Sequence, residues 1–265
     1  MPMETFPLAG EEVPDGYSGW LIFLDEFNSA TQAVQKAAYR VTLDRQVGQH
    51  DLHDRAVCVA AGNLETDNAI VETMPTPLQS RMVHLKLNAD SQVWVDWAVT
   101  HGIDYRITSF INFKPSLLYN FDPDHSDMTY ASPRTWEFAN RLIKDVSSLK
   151  PFTYLPLLSG TVGEGPAREL LAFCRIHDQL PKMSEIKARP EEVPVSQEPS
   201  ILYALSGALA SHADKNNIEG LMKFINRMPP EFQVVTLREM IKRNREILDL
   251  PAIQQWASKN AKELL

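Results

Sequence analysis

The amino-acid sequence predicts an α/β fold in which strands come first and helices follow, and three observations carry that expectation. A five-residue apolar run, WLIFL at 20–24, is too short for a helix and lies between Gly19 and Asp25, the pattern of a strand buried on both faces in a parallel sheet. A second such run, AVCVAA at 56–61, ends in Gly62 and Asn63. Beyond residue 90 the apolar residues recur with helical spacing almost to the C-terminus. The 265 residues suffice for one large domain, or for a domain with a smaller helical appendage.

The elements follow in order. Residues 1–19 read as loop, punctuated by Pro2, Pro7, Pro14, Gly10, Gly16 and Gly19. After the first strand, Asn28 or Ser29 can cap a helix running to about Thr42, with Ala33, Ala37 and Ala38 on its packing face. Residues 43–55, LDRQVGQHDLHDR, are polar, centre on Gly48 and suit a projecting hairpin. A third strand is expected at 82–87, MVHLKL, after the proline-marked segment 75–81. Helices are expected at 91–101, about 106–119, 133–149 behind Ser132-Pro133, and 166–180 behind Pro166. Pro181, Pro190, Pro194 and Pro199 mark a linker, and further helical pieces lie near 200–213, 216–227, 230–247 and 251–263. The expected organisation is an α/β core at 1–90, a helical region at 91–180, a linker at 181–198 and a C-terminal helical unit at 199–265.

Composition removes several function classes. No apolar run approaches the roughly 20 residues that a membrane-spanning helix needs. The N-terminus carries acids and prolines where an export signal would be basic and then apolar, so a cytoplasmic location is expected. Cys58 and Cys174 lack metal-type spacing and read as packing residues. Lys plus Arg total 26 against 34 Asp plus Glu, a net charge of −8 that disfavours nucleic acid. The 11 glycines are about 4% of the chain, below the usual ~7%. None is followed by lysine, so a GxxxxGK[ST] phosphate loop is absent.

Chemistry gathers at the strand ends. LIFLDEFN puts Asp25 and Glu26 where ligands bind in open α/β sheets. In nucleotide hydrolysis a strand-end aspartate holds Mg²⁺ and the adjoining glutamate can polarise the attacking water. A plain acidic helix start would look the same. VCVAAGN delivers Asn63, whose amide can orient a water or touch a phosphate, to the end of the neighbouring strand. Arg81, in PLQSRMVHLKL, could reach a phosphate on an adjacent subunit. Arg134, in SPRTWEFANRL, opposes the dipole at its helix start and is poorly explained by stability. His50, Asp51, His53 and Asp54 read as a solvated hairpin tip rather than a metal site. Arg238, Lys242, Arg243 and Arg245, accompanied by Glu239 and Glu246, read as a solvated helix face. Trp94, Trp97 and Trp136 read as core, and GTVGEGPAREL at 160–170 as a turn before a helix.

The ordered set LIFLDEFN, DRQVGQHDLHDR, VCVAAGN, PLQSRMVHLKL and SPRTWEFANRL resembles MoxR-type AAA+ ATPases over residues 20 to about 180. The resemblance implies part of an AAA+ parallel sheet, comprising the Walker B strand, the sensor 1 strand and the strand after it, with an α-helical lid. It implies ATP and Mg²⁺ as ligands. Asp25 and Glu26 would be the Walker B pair with Asp25 on the metal, Asn63 sensor 1, Arg81 the arginine finger and Arg134 sensor 2. It further implies a homo-oligomeric ring, hexameric in the family's manner, acting chaperone-like on a protein client with a von Willebrand factor A domain partner.

One departure is large. Residues 1–24 cannot hold the strand, phosphate loop, helix and strand that precede Walker B, a unit of roughly 30 or more residues. By resemblance the missing first strand lies between the sensor 1 strand and the strand after Arg81. The chain is therefore expected to be the C-terminal portion of a longer protein or to rely on another polypeptide. The alternative is a nucleotide-incompetent scaffold that keeps its interaction surfaces.

Overall fold

The structure is a computed structural model that describes residues 5–64, 74–122, 124, 128–177 and 179–260. The first apolar run forms β1, Trp20–Leu24. A 3₁₀ turn at Phe27–Ser29 then leads into α1, Gln32–Thr42. Neither Asn28 nor Ser29 caps that helix; Thr31 is its N-cap. The expected packing face also differs, because Ala33 and Ala37 are exposed and Gln35 is the buried residue. Gln35 donates from Nε2 to the Ala30 carbonyl at 3.0 Å, which ties the helix start to the preceding turn.

The polar segment does form a hairpin, of β2 (Gln46–Val47) and β3 (His50–Asp51), paired antiparallel. Gly48 turns it at φ 65, a left-handed conformation that glycine adopts without steric penalty. Arg45 anchors its base by donating to the carbonyls of His53 at 2.7 Å and Ala56 at 2.8 Å. The N-terminal segment is ordered against it, with Leu8 bridging Leu52. At the tip, Asp51 accepts from Gln46 and His53 from the Arg55 N–H. No metal-type cluster occurs among the described residues.

Ala56–Ala60 forms β4, which pairs in parallel with β1. Burial on both faces is not what the structure gives. The register sets Leu21 beside Val57 and Phe23 beside Val59, and these four are 66%, 58%, 55% and 43% exposed. One face of the two-stranded sheet is therefore an open apolar surface. The expected third strand is not formed either: residues 82–87 have no regular structure, and Val83, Leu85 and Leu87 are 89%, 83% and 93% exposed. A strand exists only when its N–H and C=O groups meet a ladder, and β1 and β4 form a sheet of two.

The remainder is helical: α2 (Thr76–Gln79), α3 (Ser91–Thr100), α4 (Tyr105–Phe113), α5 (Pro133–Ile143), α6 (Pro151–Val162), α7 (Glu164–His177), α8 (Met183–Ala188), α9 (Pro199–His212), α10 (Ile218–Ile225), α11 (Pro230–Arg243) and α12 (Pro251–Lys259). Of these, α6 and α8 were not expected. Pro156 and Gly160 disguise the first, and the second lies inside the segment read as a linker. The helix expected at 133–149 stops at Ile143, and the one at 106–119 stops at Phe113 before a 3₁₀ turn. Residues 261–263 of the last expected helix lie outside the described residues.

The chain divides into two compact units, Met1–Leu87 with Asp122–His125, and Asn88–Phe121 with Ser126–Leu265. In the helical unit, Trp136 and Phe110 are fully buried with ring centroids 5.7 Å apart. Trp136 donates from Nε1 to the Leu117 carbonyl at 2.9 Å, so its one polar atom is satisfied. Helix α9 packs against α4 and α7, joining the helices on either side of residues 181–198. Gly207 allows that approach, since a Cβ there would stand 1.9 Å from Ser109 Oγ. Trp97 departs from the core expectation: it is 38% exposed and stacks on His101. No helix among the described residues is long and apolar enough to cross a membrane.

Candidate functional site

Parallel pairing brings the C-terminal ends of β1 and β4 to one edge of the sheet, which is where such sheets bind ligands. Asp25 and Glu26 leave β1 there, and Gly62 and Asn63 leave β4. Four hydrogen bonds hold the two exits together. The Ala61 N–H donates to the Leu24 carbonyl at 2.9 Å, and the Phe27 N–H donates to the Ala61 carbonyl at 2.8 Å. The Asn28 amide then clamps residue 63, accepting its N–H at 3.0 Å and donating to its carbonyl at 2.6 Å.

That clamp explains Gly62. A Cβ at this position would lie 2.2 Å from Asn28 Oδ1, so any side chain there would displace the clamp. The clamp holds the backbone of Asn63 and does not engage its side-chain amide. Neither Asn28 nor Gly62 was singled out as functional from sequence, although the Gly-Asn pair after an apolar run is the local signal that could have suggested them.

Glu26 adopts a left-handed conformation, φ 50 and ψ 38. For a residue with a Cβ this costs roughly 1–2 kcal/mol, the kind of strain that concentrates at functional sites. The Glu26 N–H is received by Asp25 Oδ1 at 3.0 Å, leaving the other Asp25 oxygen without that bond. Both carboxylates are exposed. Beside Asn63 an open cleft of about 580 Å³ is lined by the polar side chains of Asn28, Asn63, Thr76, Gln79, Ser80 and His84 together with Leu64 and Met74.

Arg81 lies in the same unit, in the turn after α2 and next to the cleft residue Ser80. Arg134 lies in the helical unit, exposed in the first turn of α5. That turn is already capped, since Ser132 Oγ accepts the Thr135 N–H and Thr135 Oγ1 accepts the Ser132 N–H. Arg134 is thus surplus to the local stability of its helix. The structure brings Asp25, Glu26 and Asn63 to one strand-end edge.

No family model, curated protein or solved structure matches this chain. The site's own chemistry is two carboxylates and one amide at the paired ends of two parallel strands, beside a neighbouring cleft.

Proposed function

We propose that this chain contributes the water-activating half of an ATP-hydrolysing site in a MoxR-type AAA+ ring, whose turnover drives chaperone-like remodelling of a protein client. The observation that carries the reading is the clamped edge, where parallel strands present Asp25, Glu26 and Asn63 together. Asp25 fits a Mg²⁺ site of the kind completed by substrate phosphates, which needs only one or two protein carboxylates. Mg²⁺, when bound, neutralises charge on the transferring phosphoryl group. Glu26 orients and polarises the attacking water, and the Asn63 amide holds that water or a terminal phosphate oxygen. Arg81 is assigned to a neighbouring subunit's site and Arg134 to the nucleotide's phosphates. The grip on the phosphates comes from a segment other than these residues, because the sequence holds no GxxxxGK[ST].

The test is co-expression of this chain with a strand–phosphate-loop–helix segment of a MoxR-type ATPase, followed by a phosphate-release assay. Turnover should appear, Glu26→Gln should abolish it while nucleotide stays bound, and Arg81→Ala should remove it only in the assembled ring. Equal turnover in wild type and Glu26→Gln would sink the proposal.

A second reading is a scaffold without nucleotide, favoured by the open apolar face of Leu21, Phe23, Val57 and Val59. Calorimetry of the full chain with Mg-ATP separates the two, since micromolar binding contradicts the scaffold.

A further inference from the structure

The parallel ladder between β1 and β4 is regular as far as Leu24 and then slips by one residue. The Trp20 N–H donates to the Arg55 carbonyl at 3.1 Å, and the Leu24 carbonyl receives the Ala61 N–H at 2.9 Å, each the bond that the register demands. Continued, the ladder would bring the Glu26 N–H to the Ala61 carbonyl. The N–H that arrives there is that of Phe27, at 2.8 Å, and the Glu26 N–H turns back to Asp25 Oδ1 at 3.0 Å. One extra residue therefore stands between the two bonds to Ala61, and the backbone absorbs it in the left-handed conformation of Glu26, φ 50. Insertions of this kind re-aim a side chain beside an active site.

A residue that the ladder skips is placed by whatever fixes the turn behind it. The Ser29 N–H donates to the Glu26 carbonyl at 2.9 Å and closes that turn. Asn28, inside the turn, reaches across to residue 63 with both ends of its amide, accepting the N–H at 3.0 Å and donating to the carbonyl at 2.6 Å. Room for the amide comes from Gly62. The three atoms nearest a Cβ built there all belong to Asn28: Oδ1 at 2.2 Å, Cγ at 2.8 Å and Nδ2 at 3.4 Å.

We propose that Asn28 is a positioning residue whose amide locks the inserted turn to the exit of β4 and so sets the spacing between the Glu26 carboxylate and the Asn63 amide, a role that rests on the ATP-hydrolysing reading above. The two groups leave different strands, one skipped by the ladder and the other beyond its last bond, yet they act on one water. Losing Asn28 leaves the strands paired and the nucleotide gripped from elsewhere, while the relative placement of the two groups relaxes. A misplacement of about 1 Å costs on the order of 10²-fold in rate. The effect falls on kcat rather than on KM.

Two variants reach the clamp from opposite sides. Asn28→Ala removes the amide, and Gly62→Ala puts a methyl in its place without backbone strain, since Gly62 has no left-handed φ. In the full chain alone, followed by NMR amide exchange, the Asn63 N–H should exchange about 5-fold faster in each variant, with Val59 in β4 unchanged. In the co-expressed assembly described above, kcat per bound nucleotide should fall about 10–100-fold in each, with KM for Mg-ATP within about 3-fold of wild type. The double variant should be no slower than Asn28→Ala, because the methyl then meets no amide, whereas two merely structural lesions would add. Unchanged Asn63 exchange, wild-type kcat in Asn28→Ala, a rise in KM alone, or additive losses would each overturn the role of Asn28. A wild-type assembly without turnover would overturn the ATP reading and this role with it; an active wild type with equally active variants would overturn the role alone.

Discussion

The two units solve the same problem of apolar burial with opposite completeness. In the helical unit a large core finds its partners within the unit: Trp136, Phe110, Leu158 and Leu170 are fully buried, although Phe152, Phe138 and Trp97 stay exposed. In the α/β unit, two of the five residues of each strand are exposed apolar side chains, and Val83, Leu85 and Leu87 alternate along a segment that joins no sheet. The difference follows from the geometry of the elements. A helix satisfies its own backbone and needs only one covered stripe, whereas a strand needs a neighbour for its backbone and cover for each apolar face. The helical unit is thus closed, and the α/β unit is open at the sheet that carries the candidate site.

The strongest way to break this comparison is to compare Trp136→Ala with a change on the open face. Removing the buried indole should destabilise the helical unit by about 3–5 kcal/mol, measured by denaturant unfolding. A loss below about 1 kcal/mol would mean that the core is not closed around it.

A second, pH-dependent contrast sharpens it. His177, the last residue of α7, has both ring nitrogens sealed from solvent and without a partner among the described residues, with Tyr105 and Phe173 edge-on at 5.3 and 5.5 Å. Burial, reinforced by the Arg106 guanidinium and partly offset by Asp104, lowers its pKa from 6.5 to about 4. The folded value lies below the unfolded one, so the unfolded chain takes up the proton first as pH falls. Stability is fully present above pH 6.5 and is lost between there and about pH 4, by at most roughly 3 kcal/mol. Unfolding midpoints across this range should fall with acidification, and His177→Phe should flatten that slope. An unchanged slope in the variant would place the proton uptake elsewhere.

The smallest effect is the most specific to the open unit. Leu21→Lys puts a charge on a side chain that is 66% exposed and should change stability by no more than about 0.5 kcal/mol. A loss of several kcal/mol would show that the face is covered.

How much was legible in the sequence divides along the same line. The helices from α3 to α12 were readable where one face repeats at helical spacing, and α6 was missed because Pro156 and Gly160 are breakers that an exposed helix side tolerates. β1 and β4 were readable as apolar runs, but a run does not state how many of its faces are covered. Residues 82–87 have the right alternation and lack the ladder. At the site, the positions of Asp25, Glu26 and Asn63 at strand ends follow from the order of run and polar residue. The Asn28 clamp does not, because it joins residues 35 apart through a side chain whose aim depends on the parallel register.

Native-state hydrogen exchange on the full chain tests the central contrast most directly. Amides in the middle of α4 and α9 should exchange only through large-scale unfolding, and those of Val83–Leu87 at nearly the rate of an unstructured peptide. Strong protection at Val83–Leu87 in the chain alone, matching that of α4 and α9, would contradict an open α/β unit and with it the premise that the candidate site is completed from outside.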